Sequence, residues 1–252
     1  DALRRVQHLL DAGYTWVVDA DLKSYFDTIP HERLMARVEE HIADGRVLAL
    51  IRSYLEQGVM EDLRYYEPEE DGTPQGAVIS PLLANIYLNP LDHLVAGNGF
   101  EMVRYADDFV ILCRSREAAL AALACVQTWV EANGLTLHPE KTRIVDATQR
   151  GGFDFLGYHF ERHYHWPRKK SLDKLKHSIR ELTPRRTCGW SMRQCIGRLN
   201  KVLRGWYGYF KYSHWTTFQP VDKYVRGRLR SILRNRAGRR GRGRGNDHQR
   251  WP

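Results

Sequence analysis

The spacing of hydrophobic and polar residues divides the first part of the chain into helices and strands. DALRRVQHLLDAG has apolar residues at helical spacing and ends at Gly13, a residue type that commonly terminates helices. TWVVDADL follows and is typical of a strand. Three further helices are predicted where a capping residue or a proline precedes an apolar stripe: His31 to His41, about Gly45 to Gln57 with Val47, Ile51 and Leu55 on its apolar face, and Ser80 onward with a kink at Pro90.

Two adjacent aspartates interrupt the apolar stretch RYADDFVIL, residues 104 to 112. The runs on either side are rich in β-forming residues, so the pattern predicts a hairpin with Ala106, Asp107 and Asp108 at its turn. The pattern alone leaves two interpretations of the charges open. They form a solvated turn, since Asp is a common turn residue, or they belong to a chemical site.

The rest of the pattern up to residue 165 completes an α+β layout. Ser115 caps a predicted helix from Arg116 to Asn133, which Gly134 closes. LTLHP and KTRIVD are predicted as strand and turn, FDFLGYHF as one further strand, and EDLRYYEPEEDG as a loop or hairpin. We therefore expect an antiparallel sheet that helices cover on one face.

Beyond Trp166 the pattern becomes purely helical. Helices are predicted at about 171–182, 191–213 and 218–236, before the glycine- and arginine-rich run AGRRGRGRGNDHQRWP. We expect three parts: 1–165, 166–237, and a basic tail at 238–252 that is flexible when no nucleic acid is bound.

Charge is distributed unevenly along the 252 residues. Residues 1 to 150 carry a net charge of −10, whereas residues 151 to 252 carry +19 and several interleaved tryptophans and tyrosines. An excess of cations mixed with aromatic rings favours a nucleic-acid partner over simple solubility.

Some classes of protein are disfavoured. The four cysteines show no spacing typical of zinc sites, and no apolar run approaches the roughly 18 to 20 residues of a membrane span. We expect a cytoplasmic protein, as in bacteria, with no membrane partner. The histidines of HFERHYH would have ligand spacing on a helix, but the alternation before them predicts a strand and disfavours a metal site.

A second pair of carboxylates stands in WVVDADLKSYFD. Asp19 and Asp21 fall on one face of the predicted strand, because strand side chains alternate with period two. Carboxylates at the ends of neighbouring strands are a common way to hold two Mg²⁺ ions for an in-line displacement at phosphorus. Phosphoryl transfer is therefore the leading chemistry.

Five ordered segments across about 140 residues resemble the successive motifs of reverse transcriptases encoded by group II introns. They are DADLKSYFDTIPH, GTPQGAVISPLLANIYLNPLD, RYADDFVIL, GLTLHPEKTRIVD and GFDFLGYHF, and the later LNKVLRGWYGYFKYS resembles the maturase or thumb region of the same family. The resemblance implies a right-hand polymerase palm at 1–165, with its fingers missing from a fragment, and a helical thumb or maturase domain at 166–237.

The resemblance assigns catalytic roles to four residues of this chain. Asp21, Asp107 and Asp108 would ligate two Mg²⁺ ions, and Lys141 would protonate or neutralise the departing pyrophosphate. Asp19 is the competing choice for the first ligand. The family places an aromatic residue that excludes ribonucleotides five positions after the ligand, which selects Asp21 and Phe26.

The resemblance also implies binding residues. Leu22, Phe26, Gln75 and Gly76 would contact the incoming deoxynucleotide, although Tyr25 could exchange roles with Phe26. RNA template, DNA primer and group II intron RNA would bind cations that recur at helical spacing or lie in the tail: Arg193, Arg198, Lys201, Arg204, Arg239, Arg240, Arg242 and Arg244.

Three biological roles are compatible with these residues. The leading hypothesis is an RNA-directed DNA polymerase of a mobile intron that also assists splicing. The alternatives are a non-catalytic RNA-binding maturase and a related reverse transcriptase recruited to host defence. Retention of clustered like charges favours an enzyme, because such a cluster costs stability.

Overall fold

The computed structural model describes residues 1–57, 59–61, 64–66, 71–73, 78–184, 189–239, 241–243 and 245–251. The chain forms two compact units, Asp1–Leu156 and Gly157–Pro252. Residues 157–165, which the sequence pattern assigned to the first part, lie in the second unit.

The first unit contains helices and strands in mixed order, consistent with the predicted α+β class. In chain order they are α1 (Ala2–Asp11), β1 (Trp16–Ala20), α2 (His31–Glu39), α3 (Gly45–Leu55), β2 (Val59–Glu61), β3 (Arg64–Tyr66), α4 (Ser80–Gly97), β4 (Glu101–Tyr105), β5 (Asp108–Cys113), α5 (Arg116–Ala132), β6 (Arg143–Asp146) and β7 (Phe153–Phe155). Short 3₁₀ turns supplement them, including Tyr25–Asp27.

An antiparallel sheet of order β4-β5-β1-β6 forms the centre of this unit. In its register Ala20 of β1 lies opposite Phe109 of β5, and Asp19 lies opposite Arg143 of β6. The β4–β5 pair is the predicted hairpin, and β2 pairs with β3 in a second hairpin. The sheet therefore brings the two aspartate-bearing segments side by side.

Both faces of the sheet are covered. Val18, Phe109 and Ile111 pack in the main core with residues of α2, α4 and α5. Val17 and Leu112, which point to the opposite face, are equally buried, and α1 packs against β4 and β5. The expectation of a sheet covered on one face was wrong. The sequence pattern predicted α1 as a helix but did not show that it packs on the sheet.

The helix starts follow the predicted capping chemistry. The Asp44 side chain accepts hydrogen bonds from the first-turn amides of α3, and Ser115 Oγ accepts one from Ala118 N at 3.2 Å. Pro81 occupies the first turn of α4, where no amide donor is needed. The predicted apolar face of α3 is only partly confirmed: Ile51 and Leu55 are buried, but Val47 is 39% exposed.

FDFLGYHF is not one strand, contrary to the prediction. Leu156 and Gly157 both have positive φ, +48° and +80°, so the backbone turns between β7 and the next strand. Gly is well suited to this conformation because it lacks a Cβ.

The second unit is a hairpin followed by helices. It contains β8 (Tyr158–Glu161), β9 (Tyr164–Pro167), α6 (Lys169–Leu182), α7 (Met192–Phe210), α8 (Phe218–Arg236) and α9 (Asp247–Arg250). Its core joins the apolar stripes of the three long helices through Leu175, Ile179, Leu199 and Ile232. None of the helices in the described part of the chain is both long and apolar enough to cross a bilayer.

The described residues of the basic tail fold back onto α8, whereas the sequence predicted a flexible segment. Asp247, the single acidic residue of the tail, is 3% exposed and forms ion pairs with Arg234 and Arg239. Arg230 Nε donates to the Trp251 carbonyl at 2.7 Å. The ion pair of this one buried carboxylate with Arg234 holds the tail on α8, a contact that composition alone did not reveal.

Candidate active site

Three aspartates lie at one end of the central sheet. Because Ala20 pairs with Phe109, Asp21 and Asp108 occupy the next positions on neighbouring strands, which lie about 4.8 Å apart. Asp107 is in the tight turn between β4 and β5. The backbone thus places the three aspartates that the resemblance assigns to one site at the same end of the sheet.

The turn that carries Asp107 is held by an arginine. Ala106 has φ of +57°, which is uncommon for a residue with a side chain, and its carbonyl accepts from Arg104 Nη1 at 2.9 Å. The same guanidinium makes a bidentate ion pair with Asp92 of α4, with Nε to Oδ1 at 2.7 Å, and donates to Asn85 Oδ1 at 2.7 Å. Arg104 therefore connects the turn to α4.

Asp108 has a fixed neighbour. Its Oδ2 accepts from the backbone amide of Leu156 at 3.3 Å, the residue at which β7 ends and the chain turns. One carboxylate oxygen is therefore oriented by the protein.

Lys141 lies directly on the first aspartate. Its Nζ is 2.7 Å from Asp21 Oδ2, and the two side chains are 60% and 40% exposed. Backbone pairing explains this proximity: His138 N donates to the Asp21 carbonyl at 2.7 Å, and Leu22 forms a bridge with Leu137. The segment before β6 is thereby aligned with the end of β1.

Asp19 is in a different environment from Asp21. Burial raises the pKa of its carboxyl to about 6, while a hydrogen bond from Arg143 Nε at 3.2 Å acts in the opposite direction. The register of β1 with β5 places Asp19 and Asp108 on the same side of the sheet, and the negative charge of Asp108 contributes to the increase in pKa. Asp19 is thus a partly buried neighbour of the site and is already paired with a cation on β6.

Phe26 and Tyr25 occupy distinct environments in the 3₁₀ turn after Asp21. Tyr25 is 2% exposed, and its hydroxyl donates to the Ala84 carbonyl at 2.6 Å. Phe26 is only partly buried and packs edge-on against Tyr25, with ring centroids 5.5 Å apart. Tyr25 is therefore an anchor in the core, and Phe26 is the aromatic ring of this turn that a ligand can reach.

The segment that leads to the predicted nucleotide-binding turn lies against Phe26. Thr73 N donates to the Phe26 carbonyl at 2.6 Å, and Gly72 N donates to the Ile29 carbonyl at 2.8 Å. Gly72 has φ of +95°, and a Cβ there would come within 3.0 Å of the Asp27 backbone, so only glycine fits without a shift. Gln75 and Gly76 themselves lie outside the described residues.

Leu22, a predicted nucleotide contact, is 5% exposed and packs in the main core. Its side chain packs in the core, so the predicted nucleotide contact at this residue would have to be made by its backbone.

The predicted nucleic-acid-binding cations of α7 are accessible. Arg193, Arg198, Lys201 and Arg204 are all exposed, whereas Cys195 and Leu199 of the same helix are buried. Arg198 lies over the Trp190 ring, 3.7 Å from its centroid. Tyr207 and Tyr209 are about half exposed, at 54% and 50%.

The predicted contacts in the tail are only partly described. Arg239 is exposed and 4.0 Å from Asp247, and Arg242 is exposed. Arg240 and Arg244 lie outside the described residues. The histidines of HFERHYH lie in the β8–β9 hairpin, as the strand pattern predicted, with His163 in its turn at positive φ.

Arg104 and Asp92 were not identified from the sequence as parts of the site. An arginine next to apolar strand residues was a visible signal, because a charge within a half-buried strand needs a partner. Its partner lies on a helix 12 residues earlier in the chain, and local pattern gives no direct way to pair them.

Two family matches cover most of the chain. Residues 2–160 match the family described as reverse transcriptase (RNA-dependent DNA polymerase), and residues 172–251 match the group II intron maturase-specific domain.

Similar proteins agree with these assignments. An uncharacterized 91 kDa protein in the cob intron of Schizosaccharomyces pombe is 27% identical over 80% of this chain and 35% of its own length. The group II intron-encoded protein LtrA of Lactococcus lactis is 42% identical over 33% of this chain and 14% of its own length. The chain thus spans well under half the length of these two relatives.

The fold also has a solved counterpart. The structure of telomerase from Candida albicans in complex with a fragment of telomeric RNA superposes with a TM-score of 0.54 at 16% identity, covering 94% of this chain and 46% of the telomerase chain. At this identity the match concerns the fold alone. The two family matches show that the chain belongs to the reverse transcriptase family and carries a group II intron maturase-specific domain.

Proposed function

We propose that the chain contains the catalytic palm of an RNA-directed DNA polymerase that acts by two-metal nucleotidyl transfer. The placement of Asp21 and Asp108 at adjacent strand ends, with Asp107 in the neighbouring turn, is the observation that carries this proposal. A displacement at phosphorus needs negative groups that hold cations beside the reacting phosphate, and this end of the sheet supplies them.

The donor set fits magnesium. Carboxylate oxygens are the hard ligands that Mg²⁺ prefers, and Asp21 is 40% exposed and so accessible to an ion. Within the described ranges no three acidic, histidine or cysteine side chains converge as a ready ligand cage. Mg²⁺ commonly binds one or two carboxylates and completes its shell with water and substrate phosphates.

The roles of the carboxylates follow from their positions. Asp21 and Asp107 would hold the two ions, with Asp108 as the third carboxylate. When bound, the ions would activate the primer 3′-hydroxyl and stabilise the charge of the leaving pyrophosphate.

Lys141 would change partner during the reaction. Without substrate its ammonium compensates the charge of Asp21 at 2.7 Å. When cations occupy the carboxylates, Lys141 is repelled from them and is near enough to turn to the triphosphate. There it would donate a proton or a positive charge to the leaving group.

Selection of deoxynucleotides would depend on Phe26. Its ring is half-buried beside the anchored Tyr25, and the backbone of Gly72 and Thr73 holds the turn from the other side. A ring fixed in this way excludes a 2′-hydroxyl by occupying its space. Gln75 and Gly76 would contact the nucleotide from the segment that follows.

The second unit would bind RNA. Exposed cations and half-exposed tyrosines on α7 provide phosphate and base contacts, and the maturase-specific match favours group II intron RNA as one ligand. We propose that the protein extends a DNA primer on an RNA template, assists splicing and supports intron mobility. We further propose a bacterial cytoplasm as its compartment.

Asp107→Asn tests the catalytic assignment. Asn keeps the shape of the turn but removes the negative charge, so Mg²⁺-dependent primer extension should be abolished. RNA affinity should change less than about three-fold, because phosphate binding would depend on the cations of the second unit. Extension should be measured for the chain and for the chain fused to a fingers region, since the resemblance implies one before the palm.

The matched control is Asp146→Asn, which removes the same charge at the opposite end of β6. It should leave extension unchanged. Equal extension by the Asp107 variant and its parent would exclude the metal-ligand role. RNA binding by a parent that extends no primer, even with fingers, would favour the non-catalytic maturase instead.

A further inference from the structure

A cavity of about 370 Å³ lies inside the second unit, between α6, α8 and the C-terminal segment. Its volume is near the lower end of the range for ligand sites, which is roughly 300 to 1,000 Å³. Six of its lining residues carry a basic side chain: Arg180, Lys223, Arg228, Arg230, Arg242 and His248. Of these, only Arg242 was singled out by the sequence.

No acidic side chain is among the described residues that line the cavity. Three carboxylates are adjacent in sequence to lining residues, and each has another partner: Asp247 pairs with Arg234 and Arg239, Asp222 pairs with Arg226, and Glu181 lies 3.2 Å from His177 Nε2. The cavity therefore keeps an excess of positive charge.

Neutral oxygens accept hydrogen bonds from three of the four arginine side chains of the wall. Arg180 Nε donates to the Tyr224 hydroxyl at 2.9 Å, and Arg228 Nε donates to Thr183 Oγ1 at 2.9 Å. Arg230 Nε donates to the Trp251 carbonyl. Each guanidinium is oriented in this way before any ligand arrives, which reduces the entropy cost of binding.

We propose that this cavity binds a phosphate group of a single-stranded nucleic acid, with room for about one nucleotide. Prearranged guanidinium groups match phosphate oxygens through paired hydrogen bonds. Lys223 and Arg242 are exposed at the cavity and supply further charge. The choice of nucleic acid over an acidic protein rests on the proposed RNA-binding role of this unit.

The double variant Lys223→Gln/Arg242→Gln tests the site in the complete 252-residue chain. Both side chains are exposed, so the fold should persist, as circular dichroism would verify. Binding of a fluorescein-labelled RNA of about 20 nucleotides, followed by anisotropy, should weaken by about five-fold or more. The slope of log affinity against log salt should become shallower by about 0.7 for each phosphate that the variant no longer neutralises.

The matched control is Lys170→Gln/Lys174→Gln, which removes the same net charge from two exposed positions of α6 outside the cavity. Its affinity should remain within about two-fold of the parent, because distant exposed charges are screened. Equal decreases in affinity for both pairs, or no decrease for the cavity pair, would overturn the proposal.

Two further measurements complete the test. The exchanged variant Lys223→Arg/Arg242→Lys should retain RNA affinity, and a decrease would show that packing, not charge, matters at these positions. Labelled poly-glutamate serves as the probe for an acidic protein. If it bound the parent tightly and lost affinity only for the cavity variant, the cavity would be assigned to an acidic protein and the nucleic-acid assignment would be overturned. A parent that binds no RNA would refute the RNA-binding function itself, an outcome distinct from failure of the cavity alone.

Discussion

Asp19 and Asp21 are two residues apart on one side of the sheet and differ in exposure and in cationic partner. The Asp19 side chain is only 20% exposed, this partial burial raises its pKa to about 6, and Arg143 lies opposite it on β6. Asp21 is more exposed and contacts the terminal ammonium of a lysine. The proposed metal role requires a carboxylate that an ion can reach, and Asp21, at 40% side-chain exposure, meets this requirement better than Asp19 at 20%.

Phe26 should control sugar selection. Phe26→Ala removes the ring that would occupy the space of a 2′-hydroxyl, so the preference for dNTPs over NTPs should fall, by about ten- to hundred-fold. The ratio of kcat/KM for dGTP and GTP, measured in primer extension, provides the test.

The control for Phe26 is its neighbour. Tyr25→Phe removes the hydrogen bond to the Ala84 carbonyl and should cost about 1 kcal/mol of unfolding free energy without changing sugar discrimination. Loss of discrimination in the Tyr25 variant, together with normal discrimination in the Phe26 variant, would reverse the assignment.

Arg104 operates at the level of elements, because it connects the β4–β5 turn to α4. Its side chain is 12% exposed and that of its partner Asp92 is 34% exposed, so the pair is only partly screened by water. It also holds the carbonyl of Ala106, next to Asp107. We therefore regard Arg104 as a positioning residue for the catalytic turn.

Arg104→Gln should lower kcat by about ten-fold or more with little change in KM for dNTPs, since small misplacements of reacting groups are costly. Stability should also fall, by roughly 1 to 3 kcal/mol once partial exposure is allowed for. Extension kinetics and urea unfolding measure the two effects separately, and Arg104→Lys should restore stability more than kcat.

Arg5→Gln is the matched control, because it breaks another arginine–carboxylate pair of β4, at the end away from the turn. The Arg5–Glu101 pair is exposed, so its removal should cost less than about 1 kcal/mol and leave kcat unchanged. If Arg104→Gln and Arg5→Gln gave the same kcat, the positioning role would be refuted.

Helices and hairpins that are marked by capping or turn residues were predictable from the sequence. How these elements pair and pack with one another was less predictable. Ser115 and Asp44 cap the helices that the pattern predicted, and the RYADDFVIL hairpin is confirmed, because capping and turn chemistry are determined within a few residues. The turn at Leu156 was missed, since apolar alternation continued across it.

Site residues divide in the same way. Ordered motifs identified Asp21 and Asp107, whereas the contact of Lys141 with Asp21 depends on pairing between segments more than 100 residues apart. The ion pair between Arg104 and Asp92 likewise depends on how a helix packs on the sheet. Periodicity reports which face of an element is buried and gives no information on which element covers it.

At the scale of the whole molecule, opposite charges are separated along the chain. The first 150 residues carry −10 and concentrate the carboxylates that the proposed metal chemistry needs, whereas the remainder carries +19. Binding to a nucleic-acid backbone should therefore depend mainly on the second unit, and the acidic palm should contribute little to it.

Lys201→Gln/Arg204→Gln tests this division of charge. Both cations are exposed on α7, and each phosphate contact on single-stranded RNA contributes about −0.7 to the slope of log affinity against log salt. The slope should become shallower by roughly one unit, because not every contact is fully formed. Anisotropy titrations of one labelled RNA at several salt concentrations measure the slope.

The comparison variant is Arg46→Gln/Arg116→Gln, which removes two exposed cations from the first unit and changes the net charge equally. If binding depends on where the cations lie, this variant keeps the slope of the parent. If it depends only on total charge, both variants change the slope alike, and the separation of charge along the chain then has no role in holding RNA. Measuring both at the same ionic strengths separates these outcomes, because the local phosphate contacts alter the slope, whereas a general change in net charge is screened at distances beyond about 10 Å at roughly 0.1 M salt.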